Sequence, residues 1–304
     1  MKLATVQSKG NTYVAVVEPA LHRAWPLADV CRNLPAEAAS DMVKAIAYLS
    51  AVDLSFEMRG EGAPFSDLKI LAPIINPPRN IMCVGKNYHA HAKEFAGSGF
   101  DTSAASQGDA IPEHPIIFTK PATAITGPGS DIPMVPGLDA SMDYEAEVAV
   151  IIGKKGRAIR RENAMRHVFG YTVLNDVTAR DLQLRHKQWF LGKGIDGFCP
   201  MGPWIATSDE FAGGHLHVSC RVNGELRQNA STEALIFDIP TLIEVISRSV
   251  ELLPGDIIAT GTPEGVGIGF KPPRFLHDGD VVECEISGIG VLINTVRRAP
   301  QPQS

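Results

Sequence analysis

The segment Asp143-Tyr144-Glu145-Ala146-Glu147-Val148-Ala149-Val150-Ile151-Ile152 runs three acids into an apolar stretch. In a strand, successive side chains alternate between faces. Asp143, Glu145 and Glu147 would therefore share a face with Ala149 and Ile151, leaving Tyr144, Ala146, Val148, Val150 and Ile152 on the other. Neighbouring carboxylates on one face stand roughly 6–7 Å apart at the Cα level. Burying them without a counter-charge is costly or forces protonation, and a hard divalent cation with oxygen ligands would relieve the strain. The plainer alternative is a strand whose acidic face looks into water. A lone E-x-E does not decide between the two.

Three other segments could join such a site. Asn175-Asp176-Val-Thr178-Ala-Arg180-Asp181-Leu-Gln183 follows an apolar strand, a common place for a ligand or catalytic group, although Asp176 or Thr178 could simply cap a helix. In Tyr88-His89-Ala90-His91-Ala92-Lys93-Glu94, helical geometry puts His91 and Glu94 on one face, three residues apart. An imidazole beside a carboxylate has a fixed tautomer and a raised pKa, which suits a general base; an ordinary surface pair is the alternative. His89 has no acid three or four residues on. Gly192-Lys193-Gly194 places a point charge where backbone can approach a ligand closely, without the residue order of a phosphate-binding P-loop. The segment 260–269, TGTPEGVGIG, is also glycine-rich, but Phe270 follows it and no helix does, so it is not a dinucleotide fingerprint. Its backbone N–H groups could bind a carboxylate, or it could be a turn-rich loop.

These residues need a frame. The length of 304 residues suggests about two domains. A hairpin signal at Ser8-Lys9-Gly10-Asn11 and a helical pattern over 38–54 precede PIINPPR at 73–79, where consecutive prolines interrupt any helix or central strand. A small N-terminal α/β unit over 1–72 and a catalytic unit over 73–304 are therefore expected. Strands are predicted at 81–84, 116–118, 145–152, 168–174, 218–222, 256–259, 281–286 and 291–296. Helices are predicted at 89–95 and at 239–250, the latter capped by Asp238. Long helices do not alternate with these strands, so the expected class is α+β, predominantly β. Residues 97–110 carry Phe100 as their one large apolar side chain and read as a mobile surface loop.

Composition narrows the partners. Lys and Arg total 28 against 34 Asp and Glu, a net charge of −6, and there is no long basic run, so nucleic acid is not an expected partner. The five scattered cysteines form no C-x-x-C pair, which argues against a disulfide framework or structural zinc and fits a reducing compartment. No apolar run approaches a membrane span and the first 17 residues lack a signal-peptide core, so the expected location is cytoplasmic.

In this order, VGKNYHAHAKE, FTKP, MDYEAEVAVIIG, NDVTARDLQ, LGKGIDGFCPMGP, VNGELRQ and LLPGDIIATGTPEGVG resemble the fumarylacetoacetate hydrolase family over about residues 80–296. The resemblance implies a mixed β-roll, β-clip-like catalytic domain that forms a homodimer. It implies Glu145, Glu147 and Asp176 as ligands for Mg²⁺ or Mn²⁺, His91 and Glu94 as a water-activating dyad, and Lys193 as the stabiliser of developing negative charge. Tyr88, Arg180, Gln183 and Thr262 match positions near the substrate. Enzymes resembling the eponymous hydrolase carry a further aspartate ligand where this chain has Lys86-Asn87-Tyr88. That places it nearer the branch of acylpyruvases and 2-hydroxyhepta-2,4-diene-1,7-dioate isomerases.

The expected activity is metal-dependent hydrolysis of a C–C bond in a 2,4-dioxo acid, an acylpyruvate-type β-diketone, releasing pyruvate; the enzyme would be a hydrolase acting on ketonic substances. Hydrolysis ranks first because the His91–Glu94 pair is present. Isomerisation or decarboxylation of an unsaturated 2-oxo diacid, in aromatic or sugar-acid catabolism, comes second. A 2-oxo-acid binding protein without turnover is the reading from another class.

Overall fold

A computed structural model of the chain describes residues 1–52, 56, 58, 60–100, 111–137, 140–211 and 214–298. The strands that frame the site are, in chain order, β1 (Lys2–Ser8), β2 (Asn11–Glu18), β3 (Arg23–Pro26), β4 (Ile81–Gly85), β5 (Ile116–Lys120), β6 (Asp131–Met134), β7 (Ala146–Ile152), β8 (Val168–Asn175), β9 (Cys199–Thr207), β10 (His217–Val222), β11 (Glu225–Ser231), β12 (Ile257–Ala259), β13 (Val281–Ile286) and β14 (Gly290–Arg298). The helices used below are α1 (Ala36–Ser40), α2 (Met42–Leu49), α3 (His89–Ala96), α4 (Arg180–His186), α5 (Phe190–Lys193) and α6 (Ile239–Ser249).

Two mixed sheets result. The larger runs β3-β2-β1-β9-β8-β7-β12-β4-β5, and the smaller runs β11-β10-β13-β14-β6. Most pairs are antiparallel, but β12 lies parallel to β4 and β14 parallel to β6. The sheets share one apolar core: Val148 and Val150 of β7, Val173 and Trp204 pack with Val218, Val282 and Leu292. On the other face of β7, Ala149 and Ile151 join Leu3, Val14 and Val16 beneath Ala45 and Ile46 of α2. Strand β7 is thus buried on both sides, which explains why both of its faces are apolar. The N-terminal hairpin extends the same sheet, since Leu3 of β1 pairs with Ile205 of β9.

The α+β, predominantly β class holds. Helices α3 and α6 fall where the periodicity puts them. Where one helix over 38–54 is expected, there are two, because Asp41 takes extended dihedrals and accepts a hydrogen bond from Lys44 N at 3.0 Å, capping α2. Residues 53–55 lie outside the described residues. Strand β9 gives no strand signal because Pro200, Gly202 and Pro203 interrupt it. It is nonetheless central, and its register against β8 shifts between Tyr171 and Val173, beside Pro203, which has no N–H to donate. Of the expected surface loop, residues 101–110 lie outside the described residues. Phe100 packs edge-on against Phe275 at 6.4 Å. All five cysteines are free and buried. Among the described residues, no helix is long and apolar enough to cross a membrane.

Candidate metal centre and proton-transfer site

The acidic face of the 143–152 segment does not look into water. Asp143, Glu145, Glu147 and Asp176 are each at most 5% exposed. Pairing of Ala146 with Asn175 brings the start of β7 beside the end of β8, and the Asn175 side chain accepts the Glu145 N–H at 3.0 Å. Carboxylate oxygens of Glu145, Glu147 and Asp176 consequently lie within 4.8 Å of one another. Sequence spacing alone could not show this, because Asp176 arrives from another strand.

Three buried cations answer these four acids. Lys193, from the last turn of α5, donates to Glu145 Oε2 and Asp176 Oδ2, both at 2.7 Å. Arg180 at the start of α4 bonds Asp143 Oδ2 at 2.9 Å and Glu145 Oε1 at 2.7 Å. Lys120 at the end of β5 stands 2.7 Å from Asp176 Oδ1 while giving its hydrogen bond to Val177 O. Burial pushes the Glu145 carboxyl up, but the Lys193, Arg180 and His91 charges outweigh it and bring it down to about 2. Glu147 goes the other way: burial, then Asp176 and Glu145, raise it well above the carboxylate range despite Lys193 and the Gly261 N–H. Four carboxyl groups against these three cations leave one acid over, and it is Glu147 whose ionisation burial and its neighbours oppose. Asp176 Oδ1 also accepts no hydrogen bond. A surplus acid and converging hard oxygens fit a divalent cation with oxygen ligands.

The base sits across the cleft. In α3, His89 is exposed and His91 is buried, with His91 Nδ1 3.2 Å from Glu94 Oε2. Opposite a carboxylate, Nδ1 carries the proton and Nε2 is left as the acceptor. The glycine-rich segment 260–269 holds the site together through its backbone. Gly261 N donates to Glu147 Oε2 at 2.8 Å and Gly265 N to Glu94 Oε1 at 3.0 Å. Gly267 N and Ile268 N donate to the two oxygens of Asp143 at 2.6 and 3.1 Å. These amides bind the protein's own acids, not a ligand's carboxylate.

His91, Glu145, Glu147, Arg180, Gln183, Lys193 and Thr262 all line one narrow cleft with Lys86, Phe95 and Trp189. Its cavity volume is about 20 Å³, room for about one water-sized occupant. Gln183 accepts from Arg180 Nη1 at 3.1 Å. Thr262 gives its hydroxyl proton to Ala146 O at 2.9 Å. Tyr88 is buried and its hydroxyl has no hydrogen-bond partner. A larger cavity of about 510 Å³, lined by Ser50, Lys154, Arg166 and Asp209, holds none of these groups. Glu145, Glu147, His91 and Lys193 instead converge on the smaller cleft.

Sequence reasoning missed four supporting residues. Lys120 and Gln228 lie in FTKP and VNGELRQ, motifs that carried the resemblance but no role. Gln228 accepts from Ala146 N at 3.0 Å and donates to Thr262 Oγ1 and Pro263 O at 2.8 Å each. Asn87 bridges Thr260 O and Phe237 O at 2.7 and 3.0 Å. Asp143 is the anchor for Gly267, Ile268 and Arg180. Nothing in its neighbourhood in the chain signals those distant partners.

The chain matches the family model described as fumarylacetoacetate (FAA) hydrolase C-terminal over residues 80–297. It is 49% identical over 232 residues to the oxaloacetate tautomerase YisK of Bacillus subtilis, covering 76% of this chain and 74% of that one. It is 44% identical over 267 residues to the mitochondrial oxaloacetate tautomerase FAHD2B of Bos taurus, covering 87% and 81%. Among solved structures, a fumarylacetoacetate hydrolase from psychrophilic Exiguobacterium antarcticum superposes with TM-score 0.81 at 39% identity, covering 98% of this chain and all of that one. A 5-carboxymethyl-2-hydroxymuconate delta-isomerase from Mycobacterium smegmatis gives TM-score 0.75 at 35% identity, with coverage of 98% and 100%.

These likenesses overturn the expected C–C hydrolase that releases pyruvate, and with it the hydrolase class, because the curated relatives are tautomerases and thus isomerases. The physical reason is that the His91–Glu94 pair marks a general base, not the proton it removes; water and a carbon acid both suit it. With the match spanning more than half its length, and with His91, Glu145, Glu147, Lys193 and Thr262 of the resembling motifs lining one cleft, this chain belongs to the fumarylacetoacetate hydrolase family.

Proposed function

We propose that the protein is an isomerase that catalyses keto–enol tautomerisation of a 2-oxo dicarboxylic acid of the oxaloacetate type. The observation that carries the reading is His91, paired with the half-buried Glu94 and lining the cleft that Glu145 and Glu147 also line. The names of relatives as similar as YisK support it.

Tautomerisation moves one proton. The bond from C3 to hydrogen breaks as an O–H bond forms on the C2 oxygen, and no water is consumed. With Nδ1–H bonded to Glu94, His91 Nε2 takes the C3 proton, and Glu94 stabilises the imidazolium that results. The imidazolium then gives that proton to the C2 oxygen, which completes the enol, and the same two transfers in reverse give the ketone. Lys193 and Arg180 keep Glu145 ionised and hold its two oxygens in fixed directions. Glu145, Glu147 and Asp176 would hold Mg²⁺ or Mn²⁺, which when bound supplies Lewis-acid stabilisation of negative charge on oxygen. Trp189 and Phe95 wall the cleft with apolar surface, which keeps bulk water from the base.

A second reading, a double-bond shift in a longer unsaturated 2-oxo diacid, draws on the likeness to the M. smegmatis isomerase. The homodimer that the family resemblance implies belongs to the same proposal, and sedimentation equilibrium measures it.

The test follows the decay of enolic oxaloacetate by its ultraviolet absorbance. Wild type with Mg²⁺ or Mn²⁺ should accelerate ketonisation, and EDTA should abolish the effect. His91→Ala should lose about 10²–10⁴ of the rate, the usual general-base contribution. Decay at the buffer rate with metal-loaded wild type would sink the reading.

A further inference from the structure

We infer that Tyr144 is a positioning residue for the general base and ties that base to the metal-binding strand; this rests on the tautomerase reading above. The Tyr144 hydroxyl donates to Gly265 O at 2.8 Å. Gly265 N donates to Glu94, at 3.0 Å to Oε1 and 3.3 Å to Oε2. Glu94 Oε2 in turn faces His91 Nδ1 at 3.2 Å. A short chain of contacts therefore leads from the residue next to Glu145 to the imidazole across the cleft.

Packing alone does not ask for this hydroxyl. Tyr144 is buried, and it belongs to the core that the two sheets share with Val148, Val173 and Val218. A phenylalanine would fill the same space without a polar atom that needs a partner. A phenol keeps its proton at neutral pH, so the hydroxyl donates and the Gly265 carbonyl accepts.

Gly265 has φ +94°, and a β-carbon there would come within 1.9 Å of Arg227 O on β11. With no side chain to anchor it, the residue is held through its backbone. Strand β11 closes one side, and the Tyr144 hydroxyl fixes the carbonyl. Consecutive residues just before β7 thus divide one task. Asp143 takes the Gly267 and Ile268 amides, Tyr144 takes the Gly265 carbonyl, and Glu145 faces Lys193 and the other acids. Loss of the hydroxyl frees Gly265 to turn, its N–H leaves Glu94, and His91 loses the fixed acid that keeps the proton on Nδ1.

The experiment is a double-variant cycle on the Mn²⁺-loaded protein, read by ketonisation of enolic oxaloacetate. Tyr144→Phe keeps the ring and removes the hydroxyl. Its kcat should fall about 3- to 10-fold, the range for one lost hydrogen bond, with KM within about twofold of wild type. In the Glu94→Ala background the same change should alter kcat by less than about twofold, because the path to His91 is already cut. A general weakening of the fold would lower kcat in both backgrounds alike. Nitrogen NMR of the Mg²⁺-loaded protein should show the His91 Nδ1 signal moving away from its protonated position in Tyr144→Phe. Mn²⁺ titration of Tyr144→Phe by calorimetry should match wild type, which shows that the variant is folded with its metal centre intact. Equal losses in the two backgrounds, an unchanged kcat, an unmoved His91 signal or weakened Mn²⁺ binding would each overturn the inference. Wild type that leaves enolic oxaloacetate untouched would instead overturn the tautomerase reading.

Discussion

The carboxylate of Glu94 occupies the space that a side chain on Gly269 would need: a β-carbon built there would coincide with Glu94 Oε1. The absence of a side chain at one residue thus lets the acid of the dyad reach both His91 and the Gly265 N–H. Glu94 is the free end of a flexible side chain, so a methyl group at 269 would displace it without moving the backbone.

Gly269→Ala should therefore lower kcat by at least about tenfold and resemble Glu94→Gln, since both remove the partner that orients a general base. Thermal unfolding should change by no more than a few degrees, and Mn²⁺ affinity should not change. A variant with wild-type kcat would show that Glu94 does not orient His91.

Glu147→Gln separates stability from metal binding. In the metal-free protein Glu147 is crowded by Asp176 and Glu145 and accepts a hydrogen bond from Gly261 N. Removing its charge relieves that repulsion, so the metal-free variant should melt at or above the wild-type temperature. The same change removes a ligand, and calorimetry should show Mn²⁺ affinity reduced by at least about tenfold. Lower stability together with unaltered metal affinity would refute the ligand assignment.

Gln228 joins the smaller sheet to the start of β7. Replacing it with Leu leaves the buried Ala146 N–H without its partner and strips Thr262 and Pro263 of a donor. The cost should be about 1–3 kcal/mol in urea unfolding, the usual penalty for an unsatisfied buried polar group. Because Ala146 lies between Glu145 and Glu147, metal affinity should fall as well.

Asp238 offers a test far from the cleft. It caps α6, accepting from Thr241 N at 2.9 Å, and it pairs with Arg161. Partial burial pushes its carboxyl up, and the Thr241 and Arg161 contacts outweigh that and hold it below the ordinary aspartate range. A lowered folded pKa gives stability that is present above the unfolded pKa and lost as pH falls through the folded one. Asp238→Ala should cost about 1 kcal/mol at neutral pH, and the difference from wild type should shrink on acidification. Chemical unfolding at pH 7 and below pH 3 checks the sign.

The parts of the site that sequence makes legible are those carried by local spacing. The alternation of Glu145 and Glu147, the three-residue step from His91 to Glu94 and the glycines around Lys193 all lie within one element each. Asp176 enters the group through the β7–β8 pairing, and Lys120, Asn87 and Gln228 enter through contacts between distant segments, which no local pattern encodes. Strand β9 is hidden by prolines that a tertiary context tolerates. The reaction class was misjudged for a chemical reason: a histidine oriented by a carboxylate has the same sequence signature whether its proton comes from water or from carbon.

Between Gly261 and Ile268, four main-chain amides grip Glu147, Glu94 and Asp143. The grip depends on the path of the chain, which glycines at 261, 265 and 267 let pass close to Asn87, Arg227 O and Arg274 O, so the segment works as a ruler whose graduations are peptide units. One residue inserted or deleted at its half-buried tip, Glu264, would shift every graduation after it and misalign Glu94 and Asp143 together. The tolerance of this cleft to change is thus set by chain length in one short stretch together with the glycines that let the chain pass.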